Sequence, residues 1–274
     1  MILPSYTGMV DFVHPLQPRR ANSTAMPSNR HPLTLTADMV ALVERIEPDQ
    51  GPTAEMAPIT DADYAELVER LLAQYRPREL WVFAYGSLIW KPAFTAAEHR
   101  RATIYGWHRS FCMELVRFRG TREQPGLMMV LDRGGCCHGV AYRLPKGDLK
   151  EQLATLLRRE MSTKHHQAGL ARVTNFPRWL AVEAGNRKLR ALAFAANRQG
   201  MTYIGKLPAK DVARRLARAA GHMGSGAYYL FQTVAKLEEH GIHDSGLWHL
   251  QKLVADELCE LAEKGWVKDP EAGR

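Results

Sequence analysis

The sequence predicts an α/β or α+β domain in which a β-rich middle is enclosed by helices, and three observations carry that reading. Between positions 80 and 144 the apolar runs are short and either unbroken or alternating, the patterns of buried and half-buried strands. On both sides of that stretch apolar residues return every three or four positions, as on one face of a helix. The chain has 274 residues, 46% hydrophobic and 24% charged, enough to build a sizeable core.

Residues 1–34 carry Pro4, Pro15, Pro18, Pro27 and Pro32 among Ser, Asn and Arg, a composition that buries little apolar surface and predicts a flexible arm. A first helix is expected over 37–46, with Met39, Leu42, Val43 and Ile46 on one face and Pro48 and Gly51 as stops. A second is expected over 62–74, capped by Thr60 or Asp61 and presenting Tyr64, Leu67, Val68 and Leu71. Together they form a helical extension over 35–78 that braces the N-terminal side. Leu80, Trp81, Val82, Phe83 and Ala84 read as a buried strand that ends at Gly86-Ser87. Further strands are expected over 101–105, 108–115, 127–131 and 137–144, with Asp132-Arg133-Gly134-Gly135 as a hairpin turn between the last two. A helix over 148–160, strands over 178–182 and 189–195, and helices over 209–220, 227–240 and 247–263 complete the order.

Several function classes fall away. No run reaches the roughly 18 apolar residues of a membrane span, and the first residues lack the basic and apolar blocks of a secretory leader. The four cysteines, 112, 136, 137 and 259, include no CxxC, so no disulfide framework is expected and the chain reads as cytoplasmic with reduced thiols. Cys112 and the adjacent Cys136 and Cys137 fit the core as small hydrophobes. His165-His166 and Cys136-Cys137-His138 lack the ligand spacing of zinc sites, so no metal is expected. Lys and Arg exceed Asp and Glu by 37 to 29, a net charge of +8 that favours anionic partners. The surplus is scattered through His99-Arg100-Arg101, Arg117/Arg119/Arg122 and Arg214-Arg215, which read as solvated faces; the helical stripe Lys210, Arg214 and Arg218 offers phosphate a contact but reads the same way, beside no nucleic-acid motif.

Two features carry chemistry. In FAYGSLIWKP, residues 83–92, a buried strand breaks at a glycine and leaves successive backbone N–H groups without strand partners, a turn able to cradle an anion. There Gly86 permits a positive φ or the close approach of a ligand, Ser87 adds a hydroxyl, and Trp90 and Pro92 can wall a cavity; a plain turn is the alternative. Glu160 closes the helix whose apolar stripe is Leu149, Leu153, Leu156 and Leu157, and it returns to that stripe. Burial and the negative end of the helix dipole both raise the pKa of such a carboxylate, which suits a general acid/base. Periodicity alone leaves open a Glu160 that is solvated or paired with Arg158 or Arg159.

With those residues in view, the chain resembles the ChaC-type glutathione-specific γ-glutamylcyclotransferases. The resemblance runs through WVFAYGSLIWKPAF (81–94), RRATIYGWHRSFCM (100–113), RGTREQPGLMMVLDRGGCCHGVAYRL (119–144), RRE (158–160), PRWL (177–180), ALAFAANR (191–198), YIGKL (203–207), GSGAYYL (224–230) and GIHD (241–244). It implies an α+β fold, a compact mixed β-barrel packed by helices, over a domain at 79–264 followed by a tail at 265–274. It also implies cleavage of glutathione to 5-oxoproline and cysteinylglycine, with no cofactor or metal, by a protein expected to be a monomer without nucleic-acid or membrane partners. Residue by residue, Ala84, Tyr85, Gly86, Ser87, Leu88 and Ile89 match the loop whose N–H groups hold the γ-glutamyl α-carboxylate. Glu160 matches the catalytic glutamate and Tyr229 a tyrosine lining the site. The chemistry is consistent, because a γ-glutamyl group carries its own nucleophile, the α-amine, and well-oriented intramolecular attack reaches effective molarities of roughly 10⁵ to 10⁸ M.

The chain also departs from similar sequences. It has a longer stretch at 162–176, Tyr228 where an acidic residue is usual, and Ala84 where Gly is common. The remaining alternatives are a cyclotransferase for another γ-glutamyl amine or amino acid, and an inactive binding protein on the same fold.

Overall fold

Helix α1 (Ala37–Ala41) starts at Thr36, whose hydroxyl accepts from the Met39 N–H. The structure, a computed structural model, describes residues 32–266, so nearly all of the arm expected over 1–34 and of the tail expected over 265–274 lies outside the described residues. Residues 33–266 form one compact unit. Helix α1 is shorter than the predicted 37–46 because polar contacts from distant parts of the chain draw the next residues out. Glu44 accepts from the Ser225 N–H and hydroxyl, Arg45 donates to the Arg218 carbonyl, and the Glu47 N–H donates to the Gly221 carbonyl. Ile46, expected on the apolar face, is exposed.

Strand β1 (Met56–Pro58) leads into α2 (Asp61–Gln74), which opens with a reciprocal capping box between Thr60 and Asp63. Its apolar stripe, Tyr64, Leu67, Val68 and Leu71, is buried as the spacing predicts. Strand β2 (Trp81–Ala84) is buried at every position and gives way to a single helical turn, α3 (Ser87–Trp90).

The largest departure from expectation lies in the next segment. Four short strands were expected; the chain instead forms two strands of 18 residues each, β3 (Glu98–Leu115) and β4 (Gly126–Arg143), paired antiparallel from end to end. Asp132-Arg133-Gly134-Gly135 is therefore no hairpin turn. It is an irregularity within β4, opposite Gly106 of β3, and the register resumes from Trp107↔Arg133 to Tyr105↔Cys136. Gly106, Gly134 and Gly135 all have positive φ, which lets both strands bend at one place without losing their pairing.

Helix α4 (Leu149–Glu160) is capped by Asp148, which accepts from the Lys150 and Glu151 N–H groups. Strand β5 (Thr163–His165), inside the long 162–176 stretch, pairs with β1, so this stretch and the N-terminal extension fold onto each other. Strands β6 (Asn175–Ala184) and β7 (Arg187–Ala196) form the last hairpin of the barrel. Helix α5 (Ala209–Arg218), the short pair β8 (Ala220–Gly221) and β9 (Gly224–Ser225), α6 (Gly226–Glu239) and α7 (Ser245–Glu263) follow.

The strands close in the order β2-β4-β3-β6-β7. The barrel is mixed: β7 runs parallel to β2 at Val82↔Leu192 and to β4 at Leu131↔Ala195, and its other pairs are antiparallel. Strand β2 is apolar on both faces because it separates two cores. Trp81, Phe83 and Tyr85 pack with Ile104, Trp107, Leu131 and the small Ala191, Ala193 and Ala195. Val82 and Ala84, on the other face, join the core built with the helices. Cys112 and Cys137 are buried as expected, whereas Cys136 is exposed: adjacent residues on a strand face opposite ways, so only one of that pair reaches the core.

Candidate active site

Strand β2 stops pairing after Ala84 because the next carbonyl is taken by a side chain. Arg109 Nε donates to the Tyr85 carbonyl at 2.7 Å, and the same guanidinium donates to the His138 carbonyl and pairs with Asp244 at 2.7 Å. Only 4% of the Arg109 side chain is exposed, and Asp244 also caps α7 by accepting from the Leu247 N–H. The turn from Tyr85 onward is thus anchored to β3, β4 and the start of α7. The Tyr85 side chain turns back across the strands and donates to the Phe194 carbonyl at 2.7 Å.

Helix α3 starts directly after Gly86. Its internal bonds begin with Ile89 N–H to Gly86 and Lys91 N–H to Ser87, so the amides ahead of Ile89 precede the first helical bond. The φ of Gly86 is −143°, so the positive φ considered from the sequence is not what this glycine supplies. Close approach is: a Cβ built on Gly86 would lie 2.8 Å from Tyr229 Oη and 3.2 Å from Met129 Cε.

Tyr229, on the first turns of α6, is buried with its ring against Trp90 and Phe111 at centroid distances of 5.9 and 6.2 Å. Burial, reinforced by the charge of Glu160, pushes its phenol up to about 12, so it remains an O–H donor at neutral pH. Burial followed by the same Glu160 charge also raises Tyr85.

Glu160 is the last residue of α4, beyond the buried Leu153, Leu156 and Leu157. Its side chain is 15% exposed, and Oε1 is buried without a hydrogen-bond partner. Arg159 Nη1 lies 3.4 Å from it. Both readings of the sequence are therefore partly realised, the return to the apolar stripe and the arginine neighbour. Burial is the larger effect; it raises the Glu160 pKa, against the opposing pull of Arg159. The other arm of Arg159 reaches Ser87 Oγ at 3.5 Å and the Lys91 carbonyl at 3.4 Å, which ties the end of α4 to the turn. The structure thus brings Gly86, Ser87, Glu160 and Tyr229 together from three helical elements and a turn. The side chain of Tyr85 is committed to the barrel wall, and Leu88 and Ile89 are buried core residues, so these three can serve only through their backbone.

The sequence reading missed Arg119. It placed Arg117, Arg119 and Arg122 on one solvated face, but Arg117 forms a two-pronged pair with Asp49, and Arg119 is half-buried. The Arg119 guanidinium lies 5.7, 5.7 and 5.6 Å from the ring centres of Trp90, Tyr228 and Tyr229. Nothing in the local spacing separates it from its two neighbours, because the rings that enclose it lie on α3 and α6. Among the described residues no group of three or more His, Cys, Asp or Glu side chains could hold a metal ion.

Residues 80–257 match the model of the family described as ChaC-like protein. The chain belongs to that family. This ChaC-like protein is 37% identical over 188 residues to the glutathione-specific γ-glutamylcyclotransferase of Escherichia coli K12, covering 68% of this chain and 78% of the relative. It is 31% identical over 158 residues to glutathione-specific γ-glutamylcyclotransferase 1 of Homo sapiens, covering 57% of this chain and 68% of that protein. A crystal structure of a γ-glutamyl cyclotransferase specific to glutathione from yeast superposes with a TM-score of 0.57 at 19% identity, over 65% of this chain and 96% of the other, a likeness of fold. The match to the family model begins at β2, so α1, β1 and α2 of the ChaC-like protein lie outside it.

Proposed function

We propose that this ChaC-like protein cleaves glutathione to 5-oxoproline and cysteinylglycine, with Glu160 as the general acid/base. The observation that carries the reading is a buried glutamate whose Oε1 has no hydrogen-bond partner and which Arg159 links to the glycine turn. Within the Ala84–Ile89 turn, the backbone N–H groups between the end of β2 and Ile89, whose own N–H is bonded to the Gly86 carbonyl, hold the α-carboxylate of the γ-glutamyl group, and Tyr229 lines the site. The α-amine forms a bond to the γ-carbonyl carbon, closing the five-membered ring, and the amide bond to the cysteine nitrogen breaks. Glu160 takes the proton shed by the attacking nitrogen and returns it to the departing one, so no side-chain nucleophile is needed. Orientation of the folded glutamyl chain supplies much of the acceleration.

Residues 79–264 form the catalytic domain in this reading. A cytoplasmic location accords with the four cysteines, which are free thiols as in a reducing compartment. No helix among the described residues is long and apolar enough to cross a membrane.

The test is incubation of the purified protein with glutathione and, separately, with γ-glutamyl-alanine, in the presence of a chelator, following 5-oxoproline and the released amine by mass spectrometry. Turnover of glutathione is expected. Turnover of γ-glutamyl-alanine alone would keep the cyclisation and change the substrate, and turnover of neither would reject the reading.

A further inference from the structure

We propose that Arg119 is a specificity-determining residue that binds the carboxylate at the far end of the substrate, the glycine carboxylate of glutathione. The inference rests on the cyclotransferase reading and adds to it a requirement for a second anion, away from the reacting centre.

Arg119 stands among three aromatic rings at nearly equal distances, and its Nη1 donates to the Ser225 carbonyl at 3.1 Å. No other hydrogen bond from its side chain, and no acidic partner within ion-pair distance, is found among the described residues. Glu44 is its neighbouring carboxylate and acts on it electrostatically: Oε2 is committed to the Ser225 N–H and hydroxyl, and Oε1 stands beside Gly224, as Arg119 Nη1 does, without coming within ion-pair distance of the guanidinium. A guanidinium has five N–H donors, and burying its charge without an anion is costly. Burial indeed lowers the pKa of Arg119. The rings offset part of that cost by cation–π attraction and hold the planar fork in place, leaving its remaining donors for an acceptor.

The location fits one end of a tripeptide. Arg119 stands over the ring of Tyr229, whose hydroxyl end reaches Gly86, so about a ring's length separates it from the turn. Arg159, on α4, is bonded to Ser87 Oγ and stands beside Glu160, at the turn itself. Glutathione carries two carboxylates at its two ends. One at the glycine turn beside Arg159 leaves the other to reach Arg119, with the scissile amide between them near Glu160. A γ-glutamyl amine without a terminal carboxylate engages only the first of these positions.

The experiment compares glutathione with its glycine-carboxamide analogue in the full-length protein, the Arg119→Met variant and the Arg119→Lys variant. In the unchanged protein the carboxamide is expected to raise KM roughly 10- to 100-fold with kcat within a few-fold, the loss of a charge-assisted hydrogen bond. Arg119→Met should raise the KM for glutathione by a similar factor and abolish the difference between the two substrates. Arg119→Lys should restore part of it. Equal KM values for both substrates in the unchanged protein, or an equal loss on both in Arg119→Met, would overturn the role of Arg119 while leaving the cyclotransferase reading intact. Absence of turnover with both substrates in the unchanged protein would instead reject that reading and this inference with it.

Discussion

Glu160 combines burial with a carboxylate oxygen that has no hydrogen-bond partner, so its chemistry opposes its stability. Glu160→Gln keeps the shape and removes the base; turnover should fall at least 10²- to 10⁴-fold, measured as 5-oxoproline released, while glutathione still binds. A raised folded-state pKa means that the protonated form favours the fold and ionisation works against it. The cost is absent below the unfolded value and is felt as pH rises through the folded one. Glu160→Gln should therefore remove this pH dependence, so that the unchanged protein loses stability relative to the variant between pH 4 and pH 8, as thermal melts at the two pH values would show. In the unchanged enzyme kcat/KM should fall on the acid side with a midpoint above the ordinary glutamate value. At Gly86, alanine brings a methyl group to 2.8 Å from Tyr229 Oη, so Gly86→Ala should shift that ring and raise KM for glutathione. An unaltered KM would show that the close approach has no part in binding. The stripe that places Glu160 is legible in local spacing; Tyr229 is legible only through the resemblance, because no local pattern marks which face of α6 meets Gly86.

Among the elements, helices were legible where capping and apolar spacing agree. Of the two caps considered for α2, Thr60 is the one used and the helix starts at Asp61; α4, expected from 148, starts at Leu149 with Asp148 as its cap. Thr60→Ala should cost about 1 kcal/mol and lower Tm by roughly 2 to 4 °C for a domain of this size. Helix α1 broke the rule because its apolar spacing was outweighed by contacts of Glu44 and Glu47 with residues more than 170 positions away. The same limit explains β3 and β4. A Gly-Gly after Asp-Arg has the composition of a hairpin turn, and a bend in a long paired ribbon asks for the same positive φ; only the partner strand distinguishes them. Gly134→Ala and Gly135→Ala should each cost roughly 1 to 2 kcal/mol from backbone strain, although a Cβ at 134 meets nothing within 4 Å. Denaturant titration would measure both, and a neutral effect at Gly134 would count against the bend.

At the scale of the whole molecule, the N-terminal extension is fastened to the barrel domain by acids with depressed pKa values. Arg117 brings Asp49 down to about 2. At Asp63 burial opposes ionisation, but hydrogen bonds from Lys164 and Thr60 outweigh it and bring that carboxyl also to about 2. Such groups stabilise above their unfolded pKa near 4 and lose that contribution as pH falls through 2. Hydrogen exchange should thus increase across residues 44–63 between pH 4 and pH 2.5, ahead of the barrel strands; simultaneous exposure of both would show that the extension is not separately released. The sequence by itself determined the main helices and their order along the chain, the strand that ends in a glycine turn, the apolar stripe that includes Glu160 and the strings that place the chain among its relatives. These are properties of neighbouring residues, and local backbone preference and side-chain periodicity act over a few positions. Only the tertiary structure decided the closure of five strands into a mixed barrel, the pairing of the 162–176 stretch with the extension, and the enclosure of Arg119 by rings from α3 and α6. Each of these depends on which distant surfaces bury one another, and that choice is made by the packing of the whole chain.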